Sequence, residues 1–358
     1  MNIVYTVNGE NMGHATRSSV VIEHLLSRGH RVSVFSSGSR PVEYLRAKFD
    51  SVARVTGLHM VYRNNKVQRL RTALRALSGL TRLRKDLTEI KRTLADFHPE
   101  VVITDFDFHG EIISRLHRIP VICIDNIQFL RYAKFPIETE DFLDYELNLM
   151  VARMMVPRAD HFLITSFVDP ELRNGANDRQ HIFFVPPPLR ERVLAAPRTT
   201  GEHVLVYQSS DSYDRMLPLL AQSGARFVIY NSRRTVKAPN LQYKDFDENG
   251  FIDDMASAKG VITNGGFNVI TESLFFRKPI LSIPIKNFFE QKLNAQLLQA
   301  NGLGHWAPRM SKKTLETFLS QASRSSVNSS AVVFDNQILF TRLDTALDAC
   351  RRPVRARS

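Results

Sequence analysis

The stretch Thr263-Asn-Gly-Gly-Phe-Asn-Val-Ile-Thr-Glu272, followed by Lys278-Pro-Ile-Leu-Ser-Ile-Pro284 and Phe289-Glu-Gln-Lys-Leu-Asn-Ala295, decides the fold. The apolar run Gly260-Val-Ile-Thr263 reads as a strand, Gly265-Gly266 as a tight turn, and Phe267 onward as a helix. A helix N-terminus presents free N–H groups and about half a positive charge, which makes it a seat for phosphate. Glycine lets the backbone approach such an anion closely. Asn268 and Glu272 lie four residues apart and share one helical face. A carboxylate at that position is placed to accept hydrogen bonds from ribose hydroxyls. Glu290 and Gln291 follow the next strand and add donors and acceptors at the same edge of a parallel sheet, the edge where open α/β sheets bind ligands.

Outward from this block the chain alternates strand-like and helix-like patterns in two series. The first predicts strands at 2–7, 31–36, 100–104, 120–124, 160–165 and 181–185, and helices at 15–28, 41–48, 67–95, 109–117 and 140–156. The second predicts strands near 203–208, 226–231, 241–243, 260–263, 279–283 and 304–306, and helices near 213–222, 249–257, 267–276, 290–300 and 311–322. Between them, Pro186-Pro-Pro-Leu-Arg and the residues up to Gly201 hold four prolines and no clear period, which marks a linker. The expected organisation is a first Rossmann-like domain over 1–187, a linker over 188–201, a second Rossmann-like domain over 202–333, and a last helix and basic tail over 334–358. The length of 358 residues suits two cores better than one. The class is α/β, two Rossmann-like domains facing across a cleft.

The block from about Phe246 to Gly304 resembles the nucleotide-sugar signature of GT-B glycosyltransferases that use UDP-sugars, in both order and spacing. Two positions depart from that pattern. Asn264 stands where a histidine usually meets the diphosphate, and Val269 where a Ser or Thr is common. The resemblance implies that Gly265, Gly266 and Asn268 hold the diphosphate, Glu272 the ribose, and Glu290 and Gln291 the sugar. Asn264 can still donate hydrogen bonds. Gln208, Ser209 and Ser210 end the first strand of the second domain, where relatives carry a donor-phosphate loop. Phe246 falls where relatives contact the nucleotide base. The final helix, about 334–350, is of a kind that in GT-B proteins often crosses back onto the first domain.

The opening unit Val7-Asn-Gly-Glu-Asn-Met-Gly-His-Ala-Thr-Arg17 has glycines at 9 and 13, a spacing that argues against a dinucleotide fingerprint. It resembles the Gly-His-Ala-Thr-Arg loop of one branch of bacterial and archaeal GT-B enzymes, a branch related to the lipid-linked N-acetylglucosaminyltransferases. Gly13 and Arg17 are expected on the acceptor side. In related transferases the histidine acts as general base, and a neutral imidazole at His14 has that chemistry. A base needs an orienting group. Val101-Val-Ile-Thr-Asp105 runs into Phe-Asp-Phe-His-Gly, so Asp105 is the first choice and Asp107 the second, with His109 as a possible acceptor contact. Asp105-Phe-Asp107 also reads as a metal-binding DxD, a motif that belongs to a different glycosyltransferase fold. No metal and no cofactor are expected, the nucleotide-sugar being substrate.

Composition is that of a globular protein, 43% hydrophobic and 23% charged. The net charge of +12 favours a polyanionic partner. Between Arg63 and Arg92 lie ten basic residues against Asp86 and Glu89, with leucines at helical spacing, which reads as an amphipathic helix suited to an anionic membrane surface or a phosphate-rich acceptor. The tail Arg351-Arg-Pro-Val-Arg-Ala-Arg357 could add to it. No aromatic–basic interleaving points to nucleic acid. Cys123 and Cys350 form neither a metal spacing nor a disulfide framework. With a strand starting at Asn2 and no leader, the expected place is the cytoplasm, with a peripheral seat on the inner face of a membrane. The expected function is inverting, metal-independent transfer of a sugar from a nucleotide-diphosphate donor to an acceptor hydroxyl. Two other readings fit the same residues: a UDP-amino-sugar epimerase of this fold, and a non-catalytic nucleotide-sugar-binding scaffold.

Overall fold

The computed structural model describes residues 1–57, 62–63, 66–67, 80–173, 181–208, 215–230, 232, 234–323 and 332–351, with backbone alone for 62–63, 66–67 and 80–83. Ser209, Ser210, most of the basic stretch before Leu80 and the tail beyond Arg351 lie outside the described residues.

The chain divides into two compact units. The first comprises Met1–Met60, Arg69–Pro188 and Phe334–Ser358, the second Val61–Gln68 and Leu189–Val333. In the first, β1 (Asn2–Val7), α1 (Met12–Ser27), β2 (Arg31–Ser36), α2 (Ser39–Arg46) and β3 (Val52–Arg54) lead to a helix, α3 (Leu80–Thr93). There follow β6 (Val101–Asp105), α4 (His109–His117), β7 (Val121–Asp125), a short α5 (Phe129–Tyr132), α6 (Phe142–Met155), β8 (His161–Thr165) and β9 (Ile182–Val185). The seven strands are all parallel, in the order β3-β2-β1-β6-β7-β8-β9. Strands such as β1, β6 and β7 are buried along almost their whole length, as a sheet covered on both faces requires.

In the second unit a two-stranded antiparallel hairpin, β4 (Tyr62–Arg63) and β5 (Lys66–Val67), groups with α7 (Glu191–Ala195), β10 (His203–Tyr207), α8 (Leu217–Gln222), β11 (Arg226–Tyr230), β12 (Leu241–Lys244) and α9 (Glu248–Ser257). Then come β13 (Gly260–Thr263), α10 (Phe267–Phe275), β14 (Ile280–Ser282), α11 (Phe289–Ala300), β15 (His305–Trp306) and α12 (Lys312–Ala322). Its six strands are parallel in the order β12-β11-β10-β13-β14-β15. Both sheets therefore reverse their direction of strand addition at one point, between β1 and β6 and between β10 and β13. Such a point opens a crevice at the strands' carboxyl ends.

The last helix, α13 (Asn336–Arg351), belongs to the first unit. Its Leu339, Leu343, Ala346 and Leu347 share one core with Ile3, Tyr5, Ile22, Leu25 and Ile103. Asp344 accepts from His24 Nε2 at 3.0 Å, and Phe340 stacks on the His24 ring at 4.0 Å.

Five elements differ from the sequence reading. The stretch 188–201 is not an extended linker: Leu189 and Val193 are buried and α7 forms within it. The hairpin strand β5 occupies Lys66–Val67, where a helix from 67 was expected, and the described helix there starts at Leu80. β3 and α5 carry no long apolar period and were not foreseen. Helix α1 begins at Met12, three residues early, so His14 sits inside its first turn. The reason is Gly9: a Cβ there would lie 1.6 Å from the carbonyl oxygen of Ser37, so the chain makes its tight passage at Gly9 and is helical by Gly13.

Candidate functional site

In the first unit the site grows from the β1/β6 reversal. Val7 and Asp105 are paired in register, and the Asn8 amide donates to the Asp105 carbonyl at 3.0 Å. The Asp105 side chain is fully buried and collects donors from one face of α1, where His14, Arg17 and Ser18 are spaced i, i+3, i+4. His14 Nδ1 lies 2.8 Å from Oδ1, Arg17 Nε donates to Oδ2 at 2.8 Å and its Nη2 to Oδ1, and Ser18 Oγ donates to Oδ2 at 2.8 Å. The other Arg17 nitrogen reaches Asn126 Oδ1, just beyond β7. Burial works against the Asp105 charge, but Arg17 and then His14 outweigh it and hold the carboxyl well below the usual range. Arg17 Nη2 is also 2.8 Å from His14 Nδ1. Guanidinium can only donate and already serves Asp105 and Asn126, so we assign the Nδ1 proton to the bond with Asp105. That leaves Nε2 as the basic nitrogen.

Phe106 follows with φ +52°, a left-handed conformation uncommon outside glycine, and its ring lies nearly parallel to His14 at 6.1 Å. Its carbonyl accepts from Asn8 Nδ2 at 3.0 Å. The chain then turns inward. Asp107 accepts from both the amide and Nδ1 of His109, at 2.9 and 2.8 Å, and His109 Nε2 lies 3.3 Å from Asp86 Oδ2 on α3. Burial opposes a charge on His109, yet Asp107 and Asp86 raise its pKa to about 9.

This corrects two expectations. His109 is 0% exposed and Asp107 2%, so neither meets an acceptor; they pin α3 to the end of β6. Arg17, expected on the acceptor side, is itself buried as the counter-ion of Asp105. The two carboxylates of the DxD reading serve separate networks, which a shared metal ion would have to break.

In the second unit the corresponding place is the β10/β13 reversal, where Tyr207 pairs with Thr263. Gly265 has φ +87°, and a Cβ on it would lie 2.6 Å from the Gln291 carbonyl oxygen and 3.0 Å from Ser282 Oγ. Only glycine fits. Its carbonyl accepts from Asn294 Nδ2 at 3.1 Å, and Gln291 Oε1 accepts from the Ile285 amide at 3.0 Å, so the Glu290-Gln291-x-x-Asn294 stretch braces the turn from behind. Gly266 occupies the N-cap of α10 and brings no side-chain cap to the helix's first N–H groups. Beneath the turn, Thr263 Oγ1 and Ser282 Oγ are buried without a hydrogen-bond partner among the described residues. Asn264 is buried beside the turn, Asn268 is half-buried in the first turn of α10, and Glu290 is half-buried at the start of α11. Gln208 is buried at the end of β10, with Nε2 4.0 Å from Met216 Sδ.

Glu272 is held by a residue the sequence reading had assigned to the linker. Arg190 Nη2 donates to both carboxylate oxygens at 2.7 Å and Nε to Oε1 at 3.0 Å, while Nη1 donates to Glu248 at 2.6 Å. Phe246 is 40% exposed at the edge of an aromatic group, its ring 5.5 Å from Phe251 and 6.3 Å from both Tyr207 and Tyr230.

Sequence reading missed Ser18, Asn126, Arg190, Thr263 and Ser282. Asn126 had a signal: Val121-Ile-Cys-Ile-Asp125 ends in a carboxylate as Val101–Asp105 does, on the same sheet edge. Arg190 had none, because its partner is 82 residues away.

The model of glycosyl transferase family 1 matches residues 1–323. A glycosyltransferase of Methanosarcina acetivorans is 26% identical over 343 residues, covering 85% of this chain and 83% of that relative. One from Methanopyrus kandleri is 26% identical over 245 residues, 62% of this chain and 68% of the relative. Among solved structures, the calicheamicin glycosyltransferase CalG4 superposes with a TM-score of 0.63 at 15% identity, covering 99% of both chains. The MurG of Acinetobacter baumannii gives 0.54 at 15% identity over 92% of both. A Phytolacca americana UGT2, solved with UDP-2-fluoro-glucose and pterostilbene, gives 0.60 at 15% identity, covering 96% of this chain and 99% of that one. The fold is that of the GT-B glycosyltransferases, and the chain belongs to glycosyl transferase family 1 as a glycosyltransferase.

Proposed function

We propose that this glycosyltransferase takes a UDP-sugar as donor and transfers the sugar with inversion, without metal or cofactor, to an acceptor hydroxyl. The observation that carries the reading is the 2.8 Å contact of His14 Nδ1 with the buried, Arg17-compensated Asp105. With Nδ1–H committed to Asp105, Nε2 takes the acceptor proton as the acceptor oxygen bonds to the anomeric carbon. The anomeric C–O bond to the diphosphate breaks, and UDP leaves with that electron pair. Asp105 stabilises the imidazolium formed on His14, and Arg17 keeps Asp105 ionised throughout.

The donor side of the reading rests on the second unit. Gly265 makes the turn against Gln291, and Gly266, with room where a Cβ would stand, lets a diphosphate approach the start of α10, whose N–H groups supply the charge stabilisation that a metal otherwise provides. Asn264, Asn268, Gln208, Ser209 and Ser210 are assigned to the same phosphates. Phe246 offers a ring for the uracil, Glu272 an acceptor for the ribose alongside Arg190, and Glu290 a contact to the sugar. The UDP-2-fluoro-glucose in the Phytolacca relative supports a uridine donor. No helix among the described residues is long and apolar enough to cross a membrane. The net charge of +12 and the basic run from Arg63 to Arg92 favour an acceptor presented on an anionic surface.

Calorimetry against UDP, TDP, GDP and their sugars, without metal and then with magnesium, tests the donor. Metal-free binding of UDP and one UDP-sugar is expected. Binding of none of them, or only with magnesium, overturns the assignment.

A further inference from the structure

Helix α6 is apolar on two faces. Tyr145, Leu149, Ala152 and Met155 are buried against the body of the first unit. On the opposite side Leu143, Leu147, Met150 and Met154 are 70%, 40%, 52% and 59% exposed. With Phe142, this one helix carries five of the eleven exposed large hydrophobic side chains among the described residues. A surface helix ordinarily turns a polar face to water, and contiguous exposed apolar area marks a contact site.

The spacing of the exposed stripe is four, three, four, the seam of a helix that pairs with another helix. Glu146 and Arg153 flank it on one side, seven residues apart and both exposed. The charges are also unevenly placed. Glu138, Glu140, Asp141 and Asp144 gather at the N-terminal end, Arg153 and Arg158 at the other. An anionic membrane lying along this face would meet that acidic end, whereas a helix of the same sequence running the opposite way meets opposite charge at both ends.

We propose that this face of α6 docks on the same face of a second copy of the chain, antiparallel about a two-fold axis near Asn148. The two-fold sets Leu147 of one copy against Met150 of the other and Leu143 against Met154. It also brings Glu146 of each copy alongside Arg153 of its mate, so the charge match is made twice. An isologous contact of this kind closes on itself and yields a dimer rather than a fibre.

Sedimentation equilibrium of the full chain from roughly 0.1 to 100 µM tests it. A monomer–dimer equilibrium is expected. The double substitution Leu147→Glu and Met150→Glu, at exposed positions, abolishes the dimer while leaving the unfolding midpoint in place. Glu146→Arg or Arg153→Glu alone weakens the dimer about tenfold or more, and the two together restore it, because the pairs are remade with their signs exchanged. A wild-type chain that is monomeric over the whole range overturns the proposal, and so does a double charge swap that fails to restore association. A monomer that instead sediments with phosphatidylglycerol vesicles, and loses that behaviour in the Leu147→Glu, Met150→Glu variant, assigns the face to lipid and overturns it as well.

Discussion

The two units use one strand order and build opposite kinds of site at its reversal point. At β1/β6 the crevice is closed by side chains: a buried carboxylate, a guanidinium, an imidazole and a hydroxyl saturate one another. At β10/β13 it is made of backbone: two glycines, a helix start with no side-chain cap and two buried hydroxyls with no hydrogen-bond partner among the described residues. The first arrangement suits moving a proton, because a low-dielectric setting with a fixed counter-ion fixes the tautomer. The second suits receiving an anion, because a helix N-terminus presents oriented backbone N–H groups and a partial positive charge. Topology places a site; the residues at the reversal decide its chemistry.

The sharpest way to break this division is His14→Ala. Transfer is expected to fall roughly 10²–10⁴-fold, with UDP affinity unchanged in calorimetry, because the base is assigned to one unit and the nucleotide to the other. Undiminished transfer removes His14 from the chemistry. Arg17→Ala is expected to act on folding. It leaves the Asp105 charge buried without its main counter-ion, which costs about 3–5 kcal/mol in denaturant unfolding. A loss below about 1 kcal/mol means that Asp105 is not held as described.

A third test uses pH. His109 has a folded pKa of about 9 against about 6.5 unfolded, so folding binds its proton more tightly. Its contribution, about 3 kcal/mol, is fully present below pH 6.5 and is lost as pH rises through 9. The unfolding transition of the first unit should weaken over that interval, and His109→Gln should flatten the slope. An unchanged slope in the variant refutes the ion cluster with Asp107 and Asp86. The smallest effect is Gly265→Ala. A left-handed alanine costs about 1–2 kcal/mol, and its Cβ crowds the Gln291 carbonyl. UDP binding should weaken about tenfold or more while the pH response of the first unit stays as it was.

Much of this was legible in the sequence where information is local. Glycines at 265 and 266 between a strand and a helix announce a turn with positive φ, and Asp105 and Gly260–Thr263 declare themselves as strand ends by their apolar approach. His14 and Asp105 were paired because parallel strands put their carboxyl ends on one edge, and the contact is there at 2.8 Å. What local pattern does not carry is burial and long-range charge. His109 and Arg17 look like polar surface residues in the chain, and both are interior because carboxylates brought by other elements meet them. Arg190 sits among prolines that read as extended chain, yet Leu189 and Val193 draw that stretch into a core and the guanidinium onto Glu272. The start of α1 was misplaced for a similar reason: the close approach of Ser37 to Gly9 is a tertiary fact.

The placement of α13 has a consequence for biosynthesis. The core of the first unit includes Leu339, Leu343, Ala346 and Leu347, synthesised after the whole second unit has been translated. Domains of a growing chain ordinarily finish in the order in which they emerge from the ribosome. Here the N-terminal unit must wait with one side of its core uncovered until the last helix is released, while the second unit closes from a nearly continuous stretch of chain. A chain ending before Phe334 should therefore show a protease-resistant second unit beside a first unit that is still cleavable, whereas in the full chain both units resist.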